Sequence, residues 1–265
     1  MVIRVCVAGA TGWAGSAVTR KILESSEFQL VGAIARKQAG IDIGEALGSD
    51  KAGVNIVATL EEALAIPTDV LIDYTSPELG LAHILKALEK GVYVVVGTSG
   101  LTASDFEEIE RRAQELKLGV IAAGNFSITA ALAKHFALMA AKFLPSWEII
   151  DYASANKIDA PSGTTRELAE ALATVARNQL TVPIELTYGP KEARGTTIEG
   201  TQVHSIRLPG YVIAFETIFG LPDERLSIRH DAGSSAEPYV GGTLLAAIKV
   251  MGVQGLVRGL DQLLF

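Results

Sequence analysis

"IRVCVAGATGWAG", residues 3 to 15, decides the fold. Its first half is a β-branched apolar run of the kind that forms a strand buried on both faces, and its second half is a glycine turn opening a helical pattern over 14 to 24. Glycines at 9, 12 and 15 permit a tight turn and close approach of backbone to a pyrophosphate. The helix that follows adds unpaired N–H groups at the positive end of its dipole. A glycine turn can also do no more than pack a helix on a strand. Directly after a first strand, it points to a dinucleotide.

The rest of the first half repeats the alternation. Strands are predicted at "FQLVGAIA" (28 to 35), "DVLIDYT" (69 to 75), "VYVVVGT" (92 to 98) and "LGVIAAG" (118 to 124), with helices over 60 to 65, 77 to 91 and 102 to 116 between them. Pro77 opens its helix and Gly91 closes it. This is the pattern of a parallel sheet covered by helices. From residue 127 the texture changes: an apolar helix (127 to 144), the strand "SWEIIDYASA", a helix from about 163 to 177, and the strand-rich pieces "TQVHSIRL", "YVIAFETIFG" and "ERLSIRH". The turns "PG" and "PD" between those pieces suggest antiparallel neighbours, and residues 238 to 265 read as helix. The prediction is an α/β chain in two parts, a Rossmann domain from 1–126 with 239–265 and a smaller α+β domain, 127–238, with a mainly antiparallel sheet.

Composition narrows the function. With 49% apolar and 20% charged residues the chain can bury a sizeable core. A formal charge of -7 and a pI near 5.2 argue against nucleic acid as a partner. No apolar run reaches the roughly 20 residues of a membrane span, and the N-terminus enters a strand pattern at once, so no membrane and a cytoplasmic location are expected. The single cysteine, Cys6, sits in an apolar run and reads as a core thiol. No H-E-x-x-H helix or carboxylate–histidine cluster suggests a metal. His83 reads as half-exposed on a helix, His135 as a core or interface residue, and His204 and His230 as structural, with His204 free to face either side of its sheet.

Where a dinucleotide fold usually grips the adenosine ribose with a carboxylate, the second strand ends in Ala35, Arg36 and Lys37. Two cations suit a 2'-phosphate, favouring NADPH, with NADH possible. The other strand ends carry "DYTSPE" (73 to 78, with Thr75), "GTSGL" (97 to 101) and "GNFS" (124 to 127), which should line the nicotinamide half of the crevice. Further on, "KIDAPSGT" sets Lys157 ahead of a small-residue helix start. Asp159 and Pro161 are good helix-start residues, so the N–H groups of Ser162, Gly163 and Thr164 are expected to be free for a carboxylate, with Lys157 adding full charge. A lysine paired with Asp159 in a plain cap is the alternative.

Taken in order, "GATGWAG", "DYTSPE", "GTSGL", "NFS" and "KIDAPSGT" resemble the 4-hydroxy-tetrahydrodipicolinate reductase (dihydrodipicolinate reductase) family of lysine biosynthesis, over essentially the whole chain. The glycine turn is widespread, whereas K-x-D-A-P-S-G-T is specific. The resemblance implies hydride transfer from NADPH or NADH to a cyclic imine dicarboxylate, and a second domain that binds substrate and builds a homotetramer. It puts Gly9, Thr11, Gly12, Trp13, Ala14 and Gly15 on the pyrophosphate and Arg36 near the adenosine phosphate. Gly97, Thr98 and Ser99, with Ala123, Gly124, Asn125 and Phe126, would meet the nicotinamide. Lys157 matches the catalytic lysine, and Gly163 and Thr164 the carboxylate-binding pair.

One departure stands out. Most members carry histidines four and three residues before the lysine, the first the proton donor and the second a substrate contact, and here those positions are Ala153 and Ser154. Neither is an acid near neutral pH. Lys157 itself, Tyr152, or a water held by Ser154 and Asn156 are the candidate donors. Three readings follow: the lysine-pathway reductase, a relative that reduces another imine, enamine or oxo acid, and a cofactor-binding protein without catalysis. The retained Lys157 and "DAPSGT" weigh against the last.

Overall fold

The computed structural model describes residues 2–265, which divide into two compact units: one gathers residues up to Ile128 with Ala236–Phe265, the other Thr129–Ser235. In the first, strands β1 (Ile3–Ala8), β2 (Phe28–Ile34), β3 (Ile56–Val57), β4 (Val70–Asp73), β5 (Tyr93–Val96), β6 (Gly119–Ala122) and β12 (Gly255–Arg258) form one sheet, all neighbours parallel, in the order β12-β6-β5-β4-β1-β2-β3. The order reverses at β1, between β2 and β4, and there the strand ends leave a crevice.

Both faces are covered, which is why the strands are almost wholly apolar. Cys6, Leu71, Val94 and Val120 pack with Leu60 of α3 (Leu60–Ala63), Ile84 and Leu88 of α4 (Pro77–Glu89), and Ile109 of α5 (Ala103–Leu116). Burial pushes the Cys6 thiol up to about 12, so it stays a protonated core group. On the sequence side of the sheet start, α1 (Trp13–Leu23) follows β1, and α2 (Ile43–Ala46) is a single turn capped by Asp42. The C-terminal tract differs from the all-helix prediction. After α8 (Glu237–Lys249) the chain adds β12 beside β6, then α9 (Asp261–Leu264). "GLVR" is too short to announce itself as a strand; it forms because β6 offers it an open edge.

In the second unit, α6 (Ile128–Ala141) and α7 (Gly163–Val175) pack on one face of a sheet ordered β11-β10-β7-β9-β8: β7 (Trp147–Ala153), β8 (Thr196–Ile198), β9 (Thr201–Arg207), β10 (Ile213–Leu221) and β11 (Glu224–Ala232). Alanines 130, 133, 137 and 141 bring α6 close to Trp147, Ile149, Phe215 and Phe219. The "PD" turn closes a β10–β11 hairpin as predicted. The "PG" turn does not join neighbours: β9 and β10 lie on opposite sides of β7, and β9 pairs with β7 in parallel. The turn forms but the pairing differs, because β7, 54 residues earlier at Glu148 against Gln202, takes the place between them.

Candidate active site

Gly12 caps α1 without a side-chain bond, so the first-turn amides from Trp13 onward are left for a ligand, while Gly12 N donates to Gly9 O at 2.9 Å to close the turn. The glycines are sterically required. A Cβ at Gly15 would sit 2.1 Å from Gly9 O, and one at Gly9, where φ is +80°, 2.3 Å from Tyr74 O. Beside the turn lies a cavity of about 420 Å³ lined by Gly9, Arg36, Glu61, Thr75, His83 and Lys86 among others. That is room for the adenosine half of a dinucleotide. Arg36 borders it; Lys37, the other expected cation, does not.

At the end of β4 the fully buried Asp73 organises the neighbouring turns. Its carboxylate accepts from Thr75 N (3.1 Å), Thr75 Oγ1 (2.7 Å) and Thr98 Oγ1 (2.5 Å), and His83 Nδ1 lies 2.8 Å from its other oxygen. Thr98 is thereby turned inward, and its hydroxyl belongs to the fold. A Cβ at Gly97 would strike the Tyr74 ring at 2.1 Å, leaving backbone there to face a ligand. Ser99 and Gly124 are exposed, Ala123 is buried, and Asn125 Oδ1 accepts from Ser127 N at 2.8 Å. Phe126 departs from the expected cofactor contact: the residue is 1% exposed and its ring packs edge-on against Tyr74.

In the second unit, Lys157 Nζ pairs with Asp159 Oδ1 at 2.7 Å, a contact that holds the Asp159 carboxyl below its usual range. The helix starts later than Asp159 suggests. Ser162 is the N-cap of α7, and its amide and hydroxyl both donate to Asp151, at 2.9 and 2.7 Å. The expectation that the Ser162 amide is free is therefore corrected: a buried carboxylate on β7 takes it. Gly163, exposed, and Thr164, half-buried, open the helix, and no partner for their amides is found among the described residues. Burial pushes the Asp151 carboxyl up, but Arg207, Ser162 and Thr165 outweigh it and hold it below its ordinary value.

Around this turn Ala153 is fully buried and Ser154 half-buried. Tyr152 is unsuited to give up a proton. Its hydroxyl donates to Glu216 Oε2 at 3.0 Å, and burial followed by that carboxylate raises its pKa. His204 Nε2 lies 2.8 Å from Glu148, which Arg194 also engages, and His230 packs on Phe215 with Nε2 3.1 Å from Thr129. Among the described residues no group of three His, Cys, Asp or Glu could hold a metal ion, and no helix is long and apolar enough to cross a membrane. Sequence reading missed Asp73, His83, Asp151 and Arg207. An acidic residue at a strand end in "DYT" was the one available signal.

Known proteins bear on both units. Residues 3–126 match the family described as "Dihydrodipicolinate reductase, N-terminus" and residues 127–264 its counterpart, "Dihydrodipicolinate reductase, C-terminus". The 4-hydroxy-tetrahydrodipicolinate reductase of Moorella thermoacetica is 40% identical over 263 residues, 99% of this chain and 98% of its own. That of Halalkalibacterium halodurans is 37% identical, with 99% of each chain covered. Among solved structures, "Dipicolinate bound Dihydrodipicolinate reductase from Paenisporosarcina sp. TG-14" has a TM-score of 0.87 at 30% identity, covering 99% of both chains. An amine dehydrogenase from Mycobacterium smegmatis shares the fold at 18% identity, TM-score 0.68, over 98% of this chain and 95% of its own.

A spare-amide glycine turn at the head of a parallel sheet and these relatives together define a pyridine-nucleotide-dependent oxidoreductase. With both halves matched from residue 3 to 264, the chain belongs to the dihydrodipicolinate reductase family.

Proposed function

We propose that this chain reduces 4-hydroxy-tetrahydrodipicolinate to tetrahydrodipicolinate in lysine biosynthesis, with NADPH preferred over NADH. The observation that carries the reading is the turn from Lys157 to Thr164, where an ammonium paired only with the exposed Asp159 precedes two amides with no partner among the described residues, in a chain whose relatives are named 4-hydroxy-tetrahydrodipicolinate reductase. A carboxylate of the substrate takes the Gly163 and Thr164 amides and competes with Asp159 for Lys157. Ser154 lies within the same turn as a further polar contact.

Going from the 4-hydroxy compound to tetrahydrodipicolinate removes oxygen as water and adds hydrogen, so a proton must be supplied alongside the hydride. Bound NADPH supplies the hydride. Gly9, Thr11, Gly12, Trp13, Ala14 and Gly15 would hold its pyrophosphate and the 97–99 and 123–125 turns its nicotinamide half; Arg36 would meet its adenosine half, and Thr75, expected at the nicotinamide, would join it there because it lines the same cavity as Arg36. Positions 153 and 154 offer no acid and Tyr152 is committed to Glu216, which leaves Lys157 or a water held by Ser154 and Asn156 to carry the proton. A missing positioned acid costs roughly 10²- to 10⁴-fold in rate where nothing replaces it.

Support for NADPH comes from Arg36 at the rim of the adenosine cavity, in the place where NAD-binding chains use a carboxylate. The test is nucleotide oxidation with freshly generated substrate, wild type against Arg36→Ala. The variant should lose roughly 10- to 100-fold in kcat/KM for NADPH and little for NADH, about one charge-assisted pair. No turnover by wild type overturns the reading. Ala153 and Ser154 favour one alternative, reduction of a related imine, enamine or oxo acid, which a screen of cyclic imines would reveal. The assembly proposed is a cytoplasmic homotetramer; half-buried Ile150 and Ile218 on the sheet face turned from Ile149 and Phe219 support packing through that face, and mass photometry tests it.

A further inference from the structure

Residues 154–162, which carry Lys157, belong to no helix or strand, so the position of the ammonium must be set from outside the turn. Two adjacent strands do this. Asp151 on β7 accepts from Ser162 N and Oγ, from Thr165 Oγ1 at 3.0 Å, from Ser205 Oγ at 3.2 Å and from Arg207 Nη2 at 2.7 Å. Arg207, the last residue of β9, donates from the same Nη2 to the carbonyl of Asp159 at 2.7 Å. The turn is thus tied to the sheet at Ser162 through a carboxylate, and at Asp159, two residues from Lys157, through a guanidinium.

The geometry points to Arg207 as a positioning residue: by bridging the Asp151 carboxylate and the Asp159 carbonyl it fixes the 154–162 turn, so that Lys157 and the Gly163 and Thr164 amides meet one carboxylate together. The inference rests on the role given to Lys157 above. The unusual alanine fits with it. Ala153 and Arg207 are register partners on parallel strands, with side chains on the same face, and Ala153 is fully buried. An imidazole at 153 would contest the space that the Arg207 side chain crosses to reach Asp151.

Two charges that merely neutralise each other would be a different matter, and a double replacement separates the cases. Arg207→Met alone strands a buried carboxylate and is expected to be unstable. Asp151→Asn with Arg207→Met removes both charges and should melt above Arg207→Met but below wild type, because an NH2 replaces one oxygen that accepts from Ser162, Thr165 or Ser205, and it still lacks the tie to Asp159; Asp151→Asn alone is the control for those contacts. In that double variant we expect faster hydrogen–deuterium exchange at the Lys157 amide, which in wild type donates to Ser154 O at 3.1 Å. KM for the substrate, and Kd for dipicolinate as a dicarboxylate probe, should rise about 10- to 100-fold from the displaced geometry. KM for NADPH should not move. Recovery of exchange, KM and melting together would reduce Arg207 to a stabilising ion and overturn the inference. Wild type that neither binds dipicolinate nor turns over would instead overturn the functional reading, and the exchange comparison would still decide whether Arg207 holds the turn.

Discussion

Replacing Gly163 by proline separates what helix α7 needs from what an anion needs. Gly163 is the first residue of the helix, a Cβ there meets nothing within 4 Å, and Ser162 before it sits at φ -63°, ψ 154°. That is the extended conformation a residue preceding proline adopts. Proline at this position sacrifices no intrahelical bond and narrows the unfolded ensemble, so the fold should gain about 0.4–1 kcal/mol. A bound carboxylate, by contrast, loses one charge-assisted hydrogen bond, about 1.5–3 kcal/mol, which is roughly 10- to 100-fold in Kd. Stability and affinity therefore move in opposite directions, which ordinary damage cannot imitate. Thermal unfolding reads the first quantity, and calorimetry with dipicolinate together with KM for the substrate reads the second. Unchanged affinity would refute the assignment of this amide to the anion, and a clear drop in Tm would refute the claim that the fold leaves it spare.

Three further outcomes follow from the same geometry. Asp159→Asn removes the competitor for Lys157; with Asp159 about half exposed the pair is worth at most about 1 kcal/mol, so substrate KM should fall by no more than roughly 5-fold, and a rise in KM would mean that Asp159 orients the lysine. Ala153→His overfills a sealed position and should cost about 1–3 kcal/mol, whereas Ser154→His, at a half-buried site, should melt like wild type; equal melting temperatures for the two would contradict this packing. His230 is buried, and burial lowers its pKa, so below the ordinary histidine value the unfolded chain binds more protons than the folded one. Its contribution is complete above about pH 6.5 and declines as pH falls from there; His230→Gln should flatten that part of the Tm–pH curve, and an unchanged slope would assign it to other groups.

The parts of the chain legible from sequence share a physical property: their signals are local. The glycine turn is dictated by close contacts among residues 9 to 15 and Tyr74, so it requires glycine and displays it. Apolar runs buried on both faces announced β1, β4, β5 and β6 for the same reason. What sequence did not disclose is set by partners distant in the chain. Strand β12 exists because β6 has a free edge, 136 residues earlier at Gly119 against Gly255. Ser162 looked like a donor for ligand because nothing nearby in sequence claims its amide, and the claimant, Asp151, reaches it only once β7 and α7 have packed.

The same distinction governs the proton. In sequence, Tyr152, Ser154, Asn156 and Lys157 stand as equals, four polar groups within six positions. Strand alternation divides them: Tyr152 lies on β7 where Glu216 of β10 engages its hydroxyl, while residues from 154 onward have left the sheet. The half-buried Glu216 carboxylate holds the Tyr152 hydroxyl in its neutral, donating form. Lys157 differs because its partner, Asp159, is on the exposed turn and can be exchanged for a carboxylate of the guest without leaving any buried charge unpaired. The lysine can therefore pass from an internal ion pair to a carboxylate of the guest at little energetic cost, a move that neither Tyr152, held by Glu216, nor the buried Ala153 allows.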